Sequence, residues 1–169
     1  QFAVSQAAPM RRTHIKGNIT LFDGGWSSGG FLSDSKVDNT VTSGSQQQWF
    51  SRNSEWGNWN GGSWNMVFVG CENPPAGTWP SSPYTVVNST PIVREKPFLY
   101  IDATGNYKVF VPAIRNNSTG VSWENGIGAG QSIPIDQFYI AKAGTDNAST
   151  INNALSQGKH LLLTPGIYH

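Results

Sequence analysis

The stretch Asp146–His169, DNASTINNALSQGKHLLLTPGIYH, contains the signals that decide the fold. Asp146 or Asn147 is suited to cap a helix, and the apolar residues that follow are spaced by three and four: Ala148, Ile151 and Leu155. Gly158 stands where a helix C-terminus favours a residue with positive φ. The stretch therefore predicts one short, capped helix.

A strand and a turn follow this predicted helix. Leu161–Leu163 is wholly apolar, Pro165-Gly166 is a turn signal, and a new strand is predicted to open at Ile167-Tyr168. A short helix followed by strands and tight turns is typical of the start of a parallel β-solenoid, whose open end the helix covers. A last strand ending at His169 would lack neighbours. We therefore expect the chain to be an internal fragment, whose C-terminal strands pack on the remainder of the same protein or on a second chain.

The composition is that of a turn-rich β protein. Charged residues make up only 12%, and Gly, Ser, Asn, Thr and Trp are abundant. The net charge of +1 gives no electrostatic basis for binding nucleic acid or an acidic membrane surface. No apolar run approaches the roughly 18 residues of a bilayer span, so we expect no membrane-spanning segment.

Several features favour a processed, extracellular protein. The chain begins at Gln1, and Asn-X-Ser/Thr sequons occur at five positions: Asn18, Asn88, Asn116, Asn117 and Asn147. The single cysteine, Cys71, excludes an internal disulfide and is expected to be buried. The three histidines lack metal-ligand spacing, so we expect neither a metal nor a cofactor. These features predict a secreted glycoprotein.

The N-terminal part of the chain contains successive short strands that repeat at a period of about 20 residues. The predicted strand regions are Phe2–Ser5, Thr13–Phe22, Phe31–Val41, Gln48–Trp56 and Trp64–Cys71. A shift by nineteen positions aligns Phe31 with Phe50 and Val37 with Trp56. A shift by twenty-two positions aligns two further pairs: Ile15 with Val37, and Ile19 with Val41. Such a period suits stacked parallel coils with Phe31, Phe50 and Val37 directed inward, although an antiparallel meander remains an alternative.

The amino-acid composition of the chain changes after Glu72. Asn73–Pro83 is rich in proline, which cannot complete a strand ladder, and predicts a linker or wrapping loop. Phe98–Asp102 and Tyr107–Pro112 predict a β-hairpin, and residues 115–132 predict an exposed loop. The resulting division is terminal coils of a first β-helix (1–75), a linker with a hairpin (76–132), and the cap helix and first coil of a second β-helix (133–169).

Two runs carry a resemblance to a known family. Gly29–Asp34 together with Gln46–Asn53 looks like the late coils of a right-handed β-helix, and Arg94–Tyr100 with the tail looks like a linker and the first coil of a second one. Together they resemble secreted microbial tandem β-helix proteins of the pectate-lyase-like superfold, and glucanases of glycoside hydrolase family 55 in particular. The resemblance implies an all-β, right-handed parallel β-helix and a catalytic acid located in the second β-helix.

The most informative candidate binding residues are aromatic. Five of the seven tryptophans are clustered in one part of the chain and interleaved with asparagines: Trp49, Trp56, Trp59, Trp64 and Trp79, with Asn58 and Asn60. Flat apolar rings suit the C–H face of a sugar, and amides suit its hydroxyls. Packing of Trp56 and Trp64 in a β core is the alternative interpretation, and surface stacking is expected foremost at Trp59 or Trp79.

Three acids in the coil region are candidates for catalysis. Glycoside hydrolysis usually needs two carboxyl groups about 5–5.5 Å or about 6.5–9.5 Å apart, and coils stack about 4.8 Å apart. Asp34, Glu55 and Glu72 are therefore weak candidates. The nineteen-position shift places Lys36 over Glu55, which indicates a satisfied ladder rather than a catalytic pair.

The sequence thus favours part of an extracellular glycoside hydrolase acting on a polysaccharide such as β-1,3-glucan. The fragment alone is expected to be inactive. The alternatives are a carbohydrate-binding or lectin-like protein without catalysis and a structural surface protein.

Overall fold

The computed structural model describes residues 9–168 and consists mainly of β-strands with a single short α-helix. The predicted strand Phe2–Ser5 and the terminal His169 lie outside the described residues. Two compact units are present: unit 1 comprises the described part of Gln1–Glu95 with Ile114–Ala129, and unit 2 that of Lys96–Ala113 with Gly130–His169. The sequence-based division at residues 75 and 132 stays a prediction. No helix in residues 9–168 is long and apolar enough to cross a membrane.

The strands are short, and most belong to unit 1. In chain order they are β1 (Pro9–Arg11), β2 (His14–Ile15), β3 (Ile19–Thr20), β4 (Phe31–Ser33), β5 (Lys36–Thr42), β6 (Gln48–Arg52), β7 (Glu55–Asn60), β8 (Asn65–Val69), β9 (Tyr84–Val87), β10 (Thr90–Val93), β11 (Phe98–Ile101), β12 (Tyr107–Pro112), β13 (Arg115–Ser118), β14 (Gly130–Pro134), β15 (Phe138–Ala141) and β16 (His160–Leu163).

Unit 1 is a parallel β-solenoid, as the repeat predicts. One sheet has the order β1-β4-β6-β8-β9, and in the other sheet β5 pairs with β2, β3 and β7; all these pairs are parallel. Phe31 pairs with Phe50 and Val37 with Trp56, which confirms the nineteen-position shift. The longer shift is confirmed by the pairs Ile15–Val37 and Ile19–Val41. The antiparallel meander is therefore excluded for these strands.

The inside of the solenoid is a packed apolar core rich in aromatic rings. The buried set includes Leu21, Leu32, Val37, Val41, Trp49, Trp56, Trp59, Met66 and Phe68. The rings of Trp56, Trp59 and Phe68 pack with centroids 4.9 to 5.5 Å apart. Buried tryptophans thus fill the volume between the two sheets.

The expected inward orientation of Phe31 and Phe50 is wrong. Phe50 is 38% exposed, and the two rings stack on the outer face with centroids 5.1 Å apart. Successive residues of a strand point to opposite faces, and the fully buried Leu32 takes the inward position next to Phe31. Val37 points inward as expected.

The two sheets meet at a corner that residues with positive φ form in successive coils. Arg12, Asp34 and Asn53 have φ of 54°, 49° and 47°, and Gly70 has φ of 59°. Asp34, Asn53 and Gly70 are of the residue types that tolerate this conformation best, and Arg12 adopts the same turn in the preceding coil. The residues that follow the corner start the second sheet, and their charged side chains form the acidic groove described below.

The expectation of an exposed loop over residues 115–132 is wrong in part. Arg115–Ser118 is strand β13, which pairs antiparallel with β10, and Gly130 opens strand β14. Asn-rich sequence is a weak strand former, but a partner strand supplies the backbone hydrogen bonds that the composition does not predict. In unit 1, Ser122 and Trp123 also bond to Asp34.

Unit 2 confirms the predicted hairpin and cap helix. Strands β11 and β12 pair antiparallel, and β14 joins β12. Helix α1, Ala148–Ser156, is preceded by its N-cap Asn147, whose side chain forms a capping box with that of Thr150. Gly158, after the helix, has φ of +80°. Strands β15 and β16 pair in parallel beside it.

The strand expected at Ile167-Tyr168 is absent from the described residues. These residues follow a bend, and the hydroxyl of Tyr168 donates to the carbonyl of Ala141 at 2.8 Å. The Thr164 hydroxyl donates to the same carbonyl at 2.9 Å. These bonds hold the segment after Leu163 against Ala141 without extending it into a strand.

Candidate functional site

The three candidate acids lie at or just after the corner between the two sheets. Asp34 is in the corner itself, Glu55 begins β7, and Glu72 pairs with Glu55 through a parallel bridge on the next coil. The solenoid therefore brings Glu55 and Glu72 together and leaves Asp34 in the turn.

Asp34 is a structural carboxylate. It is 1% exposed and accepts hydrogen bonds from the hydroxyl of Ser122 at 2.8 Å and from the guanidinium of Arg12 at 3.3 Å. The indole N–H of Trp123 donates to its backbone carbonyl at 2.7 Å. A carboxylate with these partners and almost no exposed surface anchors the segment around Ser122 and is not accessible to a substrate.

Lys36 and Glu55 form the ion pair that the repeat predicts. They are opposite each other in the register of β5 and β7, and the Lys36 ammonium contacts the Glu55 carboxylate. Glu124 lies on the other side of Lys36, with its carboxylate 3.0 Å from the ammonium. Hydrogen bonds to Glu55 and then to Glu124 raise the pKa of Lys36 well above its ordinary range, so the side chain stays charged.

These charges line an open groove of about 480 Å³, here called the acidic groove. Its lining consists of Lys36, Val37, Asp38, Glu55, Trp56, Gly57, Glu72, Asn73 and Glu124. Carboxylates of this kind accept hydrogen bonds from sugar hydroxyls. The groove therefore suits a polar, hydroxyl-rich ligand better than an anionic one.

The spacing of Glu55 and Glu72 resembles that of a retaining glycosidase only at the backbone level. Adjacent strands lie about 4.8 Å apart, close to the roughly 5–5.5 Å between carboxyl groups in such enzymes. However, the nearest partner of Glu55 is the Lys36 ammonium, and Glu72 lies against Gly120, where an added Cβ would be 2.7 Å from its Oε1. Glu55 is thus held in an ion pair with Lys36, which does not fit the acid-and-base pair of a glycosidase.

The predicted tryptophans divide into buried and exposed groups. Trp49, Trp56 and Trp59 are 2%, 2% and 5% exposed and pack in the core, so neither face of these rings is open to a sugar. Surface stacking at Trp59 is thus excluded. Trp64 and Trp79 are 61% and 51% exposed, so the alternative that Trp64 belongs to the core is also wrong.

The amides and one further tryptophan complete the candidate binding residues. Asn58 and Asn60 are exposed on β7, on the face opposite the buried Trp59. Trp26 is 85% exposed but is not predicted from the sequence as a binding residue, because it stands alone among glycines and serines outside the tryptophan cluster. An isolated aromatic residue in a glycine-rich turn is the signal that could have identified it.

Other chemistries find little support in residues 9–168. Burial raises the pKa of the Cys71 thiol to about 12, which makes it a packing residue and not a nucleophile. Within this range no group of three or more His, Cys, Asp or Glu side chains is arranged to hold a metal ion.

Comparison of the sequence with known proteins indicates the class of enzyme that this chain resembles. No family model matches the chain. It is 56% identical over its whole length to an exo-β-1,3-glucanase of Streptomyces sp. (strain SirexAA-E / ActE), of which it spans 28%. The chain thus resembles a segment of a glucanase.

Solved structures give the same result. The structure of sacteLam55A from Streptomyces sp. SirexAA-E matches with a TM-score of 0.93 and 53% identity, over 99% of this chain and 31% of that one. A single-site variant of sacteLam55A, in complex with glucose, matches with a TM-score of 0.94 and 55% identity, over 99% of this chain and 30% of that one. These findings confirm the resemblance to glycoside hydrolase family 55 glucanases and the all-β parallel β-helix.

Proposed function

We propose that this chain is a segment of an extracellular enzyme that hydrolyses β-1,3-glucan. The observation that carries the proposal is the 56% identity over the whole chain to an exo-β-1,3-glucanase. Agreement of the backbone at a TM-score of 0.93 supports the same arrangement of coils. Secretion is part of the proposal and is supported by the five sequons.

Within such an enzyme, this segment would hold the glucan and support the catalytic site rather than supply the catalytic acid. Asp34 is buried under Ser122 and Arg12, and Glu55 is paired with Lys36. Neither is placed to protonate a glycosidic oxygen. Together with the location in the second β-helix that the family resemblance implies, this favours a catalytic acid outside the acidic groove, although Glu72 is exposed there.

Unit 2 offers a surface for further polypeptide of the same protein. Apolar side chains of its last strands and the segment after them are exposed, with Ile140 at 43%, Leu163 at 55% and Ile167 at 76%. Exposed apolar residues on a two-stranded sheet favour packing of another element against it. This supports the partner expected from the sequence, a remainder of the same protein or a second chain.

A carbohydrate-binding protein without catalysis is the second candidate. The exposed Trp26, Trp64 and Trp79, together with the ion-paired state of Glu55, favour it. The two candidates differ in whether a protein containing this segment cleaves glucan.

A chimera tests the proposal. The matching segment of the Streptomyces exo-β-1,3-glucanase is replaced by this chain, and release of reducing ends from laminarin is measured. We expect activity within about tenfold of the parent, since the chains share 56% identity. A chimera carrying Phe68→Asp, which buries a charge in the core, serves as the misfolded control. A chimera that melts cooperatively but does not hydrolyse laminarin contradicts the proposal.

A further inference from the structure

A second groove lies on the outer face of the sheet β1-β4-β6-β8-β9, away from the residues that line the acidic groove. Its volume is about 520 Å³. The side chains available to a ligand there are those of Gln48, Phe50 and Asn65, while Gly29, Gly30 and the buried Trp49 lie beneath them. None of its lining residues is ionisable, so this neutral groove matches a neutral ligand and offers nothing to a charged one.

The floor of the neutral groove depends on two glycines. A Cβ added at Gly29 would be 2.7 Å from the carbonyl oxygen of Gln48, and one at Gly30 would collide with the ring of Trp49. Gly29 and Gly30 therefore lie directly against the next coil, and no side chain fits at either position in the floor of the groove.

One wall of the neutral groove is a supported aromatic ring. Phe50 is 38% exposed and stacks on Phe31 with centroids 5.1 Å apart. The guanidinium of Arg11 covers the ring of Phe31 at 4.4 Å. Phe50 is thereby held in place with part of its surface open, which suits the apolar face of a sugar ring.

Two amides lie beside this ring on successive coils. Gln48 pairs with Asn65 in the register of β6 and β8. The Oδ1 of Asn65 accepts a hydrogen bond from the Thr85 hydroxyl at 3.0 Å, which orients the amide and leaves its N–H groups available. Gln48 is exposed, and its amide is not engaged in a side-chain hydrogen bond within residues 9–168. Amides of this kind both donate to and accept from hydroxyl groups.

Two exposed tryptophans stand at the edge where these coils enter the sheet. Ser27, next to Trp26, bridges to Gln46, and the backbone N–H of Trp64 donates to the carbonyl of Gln47 at 2.8 Å. The turns that carry Trp26 and Trp64 are therefore two coils apart, or roughly 10 Å along the solenoid. The residues that line the neutral groove lie on these same coils and on the coil between them.

We propose that the neutral groove binds a neutral β-glucan chain, with a sugar ring on Phe50, its hydroxyls on Gln48 and Asn65, and neighbouring sugars reaching Trp26 and Trp64. The identity of the glycan rests on the proposed function. The site itself rests on the shape of the groove, its lack of charge and the register of its amides.

Binding of laminarin to the 169-residue chain tests the site. Affinity is measured by calorimetry for wild type and for Phe50→Ala, Gln48→Ala and Trp64→Ala, with thermal melts alongside. We expect about tenfold weaker binding for Phe50→Ala and Trp64→Ala, the size of one aromatic contact, and a smaller loss for Gln48→Ala. Ile92→Ala removes an apolar side chain that is 72% exposed and lies outside the groove, and is expected to bind like wild type.

If Phe50→Ala unfolds, Gln48→Ala still tests the site. Gln48 is exposed and outside the core, so its replacement should leave the fold intact. Laminarin binding that none of the groove variants weakens overturns the site and leaves the proposed function untouched. Failure of the chain to bind laminarin also overturns it, while an active chimera still supports the proposed function. Tighter binding of polygalacturonate than of laminarin contradicts the inference that the ligand is neutral.

Discussion

Lys36 and Glu55 lie opposite each other on successive parallel coils and form an ion pair at the rim of the acidic groove. Glu55 is only 9% exposed, so loss of the ammonium leaves a largely buried carboxylate without its cation. We expect Lys36→Met to lower the Tm by roughly 2–4 °C. Lys36→Arg should retain most of the stability.

Lys16, which is exposed, provides the matched control, and Lys16→Met should leave the Tm unchanged. The double variant Lys36→Met with Glu55→Gln should recover part of the loss, because it removes the unpaired charge. Equal Tm values for Lys36→Met and wild type would show that the pair contributes nothing to stability.

Trp59 and Trp79 should respond very differently to truncation. Trp59 is 5% exposed and packs edge-on against Phe68 with centroids 4.9 Å apart, so Trp59→Ala should cost about 3–5 kcal/mol of unfolding free energy. Trp79 is 51% exposed, and Trp79→Ala should change the free energy of unfolding by less than about 1 kcal/mol. Urea titrations followed by fluorescence measure both. A stable Trp59→Ala variant would contradict the assignment of Trp59 to the core.

Sugar stacking by Trp79 remains a prediction from the sequence. If its exposed ring contacts glucan, Trp79→Ala should reduce retention on insoluble β-glucan about tenfold without lowering the Tm. The check is a pull-down at several protein concentrations with Tyr107→Ala, another exposed aromatic, as the control. Equal retention of Trp79→Ala and wild type would show that Trp79 does not contact glucan.

The register of the solenoid was predictable because each coil repeats the same side-chain types at the same positions. The stacking of Lys36 on Glu55 and of Phe31 on Phe50 follows from one nineteen-position shift. Which face points inward was not predictable in β4, because Phe31 and Leu32 are both apolar and only the packing of the neighbouring coils selects Leu32.

The candidate site was less predictable than the fold. Density of tryptophan along the sequence carries no information on exposure, and the buried Trp59 and the exposed Trp64 are close neighbours in the chain. Trp26 gave no periodic signal, since it lies in a turn. The neutral groove depends on contacts between coils at Gly29 and Gly30, which only the structure shows.

Asp146 should make the stability of unit 2 depend on pH. The hydroxyl of Tyr139 donates to its carboxylate at 2.6 Å and the backbone N–H of Lys142 at 2.7 Å, and these bonds, that of Tyr139 first, lower the pKa of Asp146. A lowered carboxyl pKa contributes stability above the unfolded-state pKa of about 3.9, and this stability is lost as the pH falls through the folded-state pKa. Asp146→Asn should therefore be less stable than wild type at pH 7, and the difference should shrink towards pH 3.

Thermal melts at pH 7, 5 and 3 measure this difference. Asp136→Asn, at an exposed aspartate of the same unit, serves as the control. A gap between Asp146→Asn and wild type that stays constant or widens as the pH falls would contradict the assignment.

We infer that this chain contributes glucan contacts and scaffold, while the catalytic acid lies outside the acidic groove. The most direct test is to incubate the purified 169-residue chain with laminarin and to measure reducing ends beside an active glucanase. We expect no turnover above the buffer blank for the wild-type chain and for Glu55→Gln and Glu72→Gln alike. Turnover by the wild-type chain that Glu55→Gln or Glu72→Gln abolishes would contradict the claim and place the catalytic site in this segment.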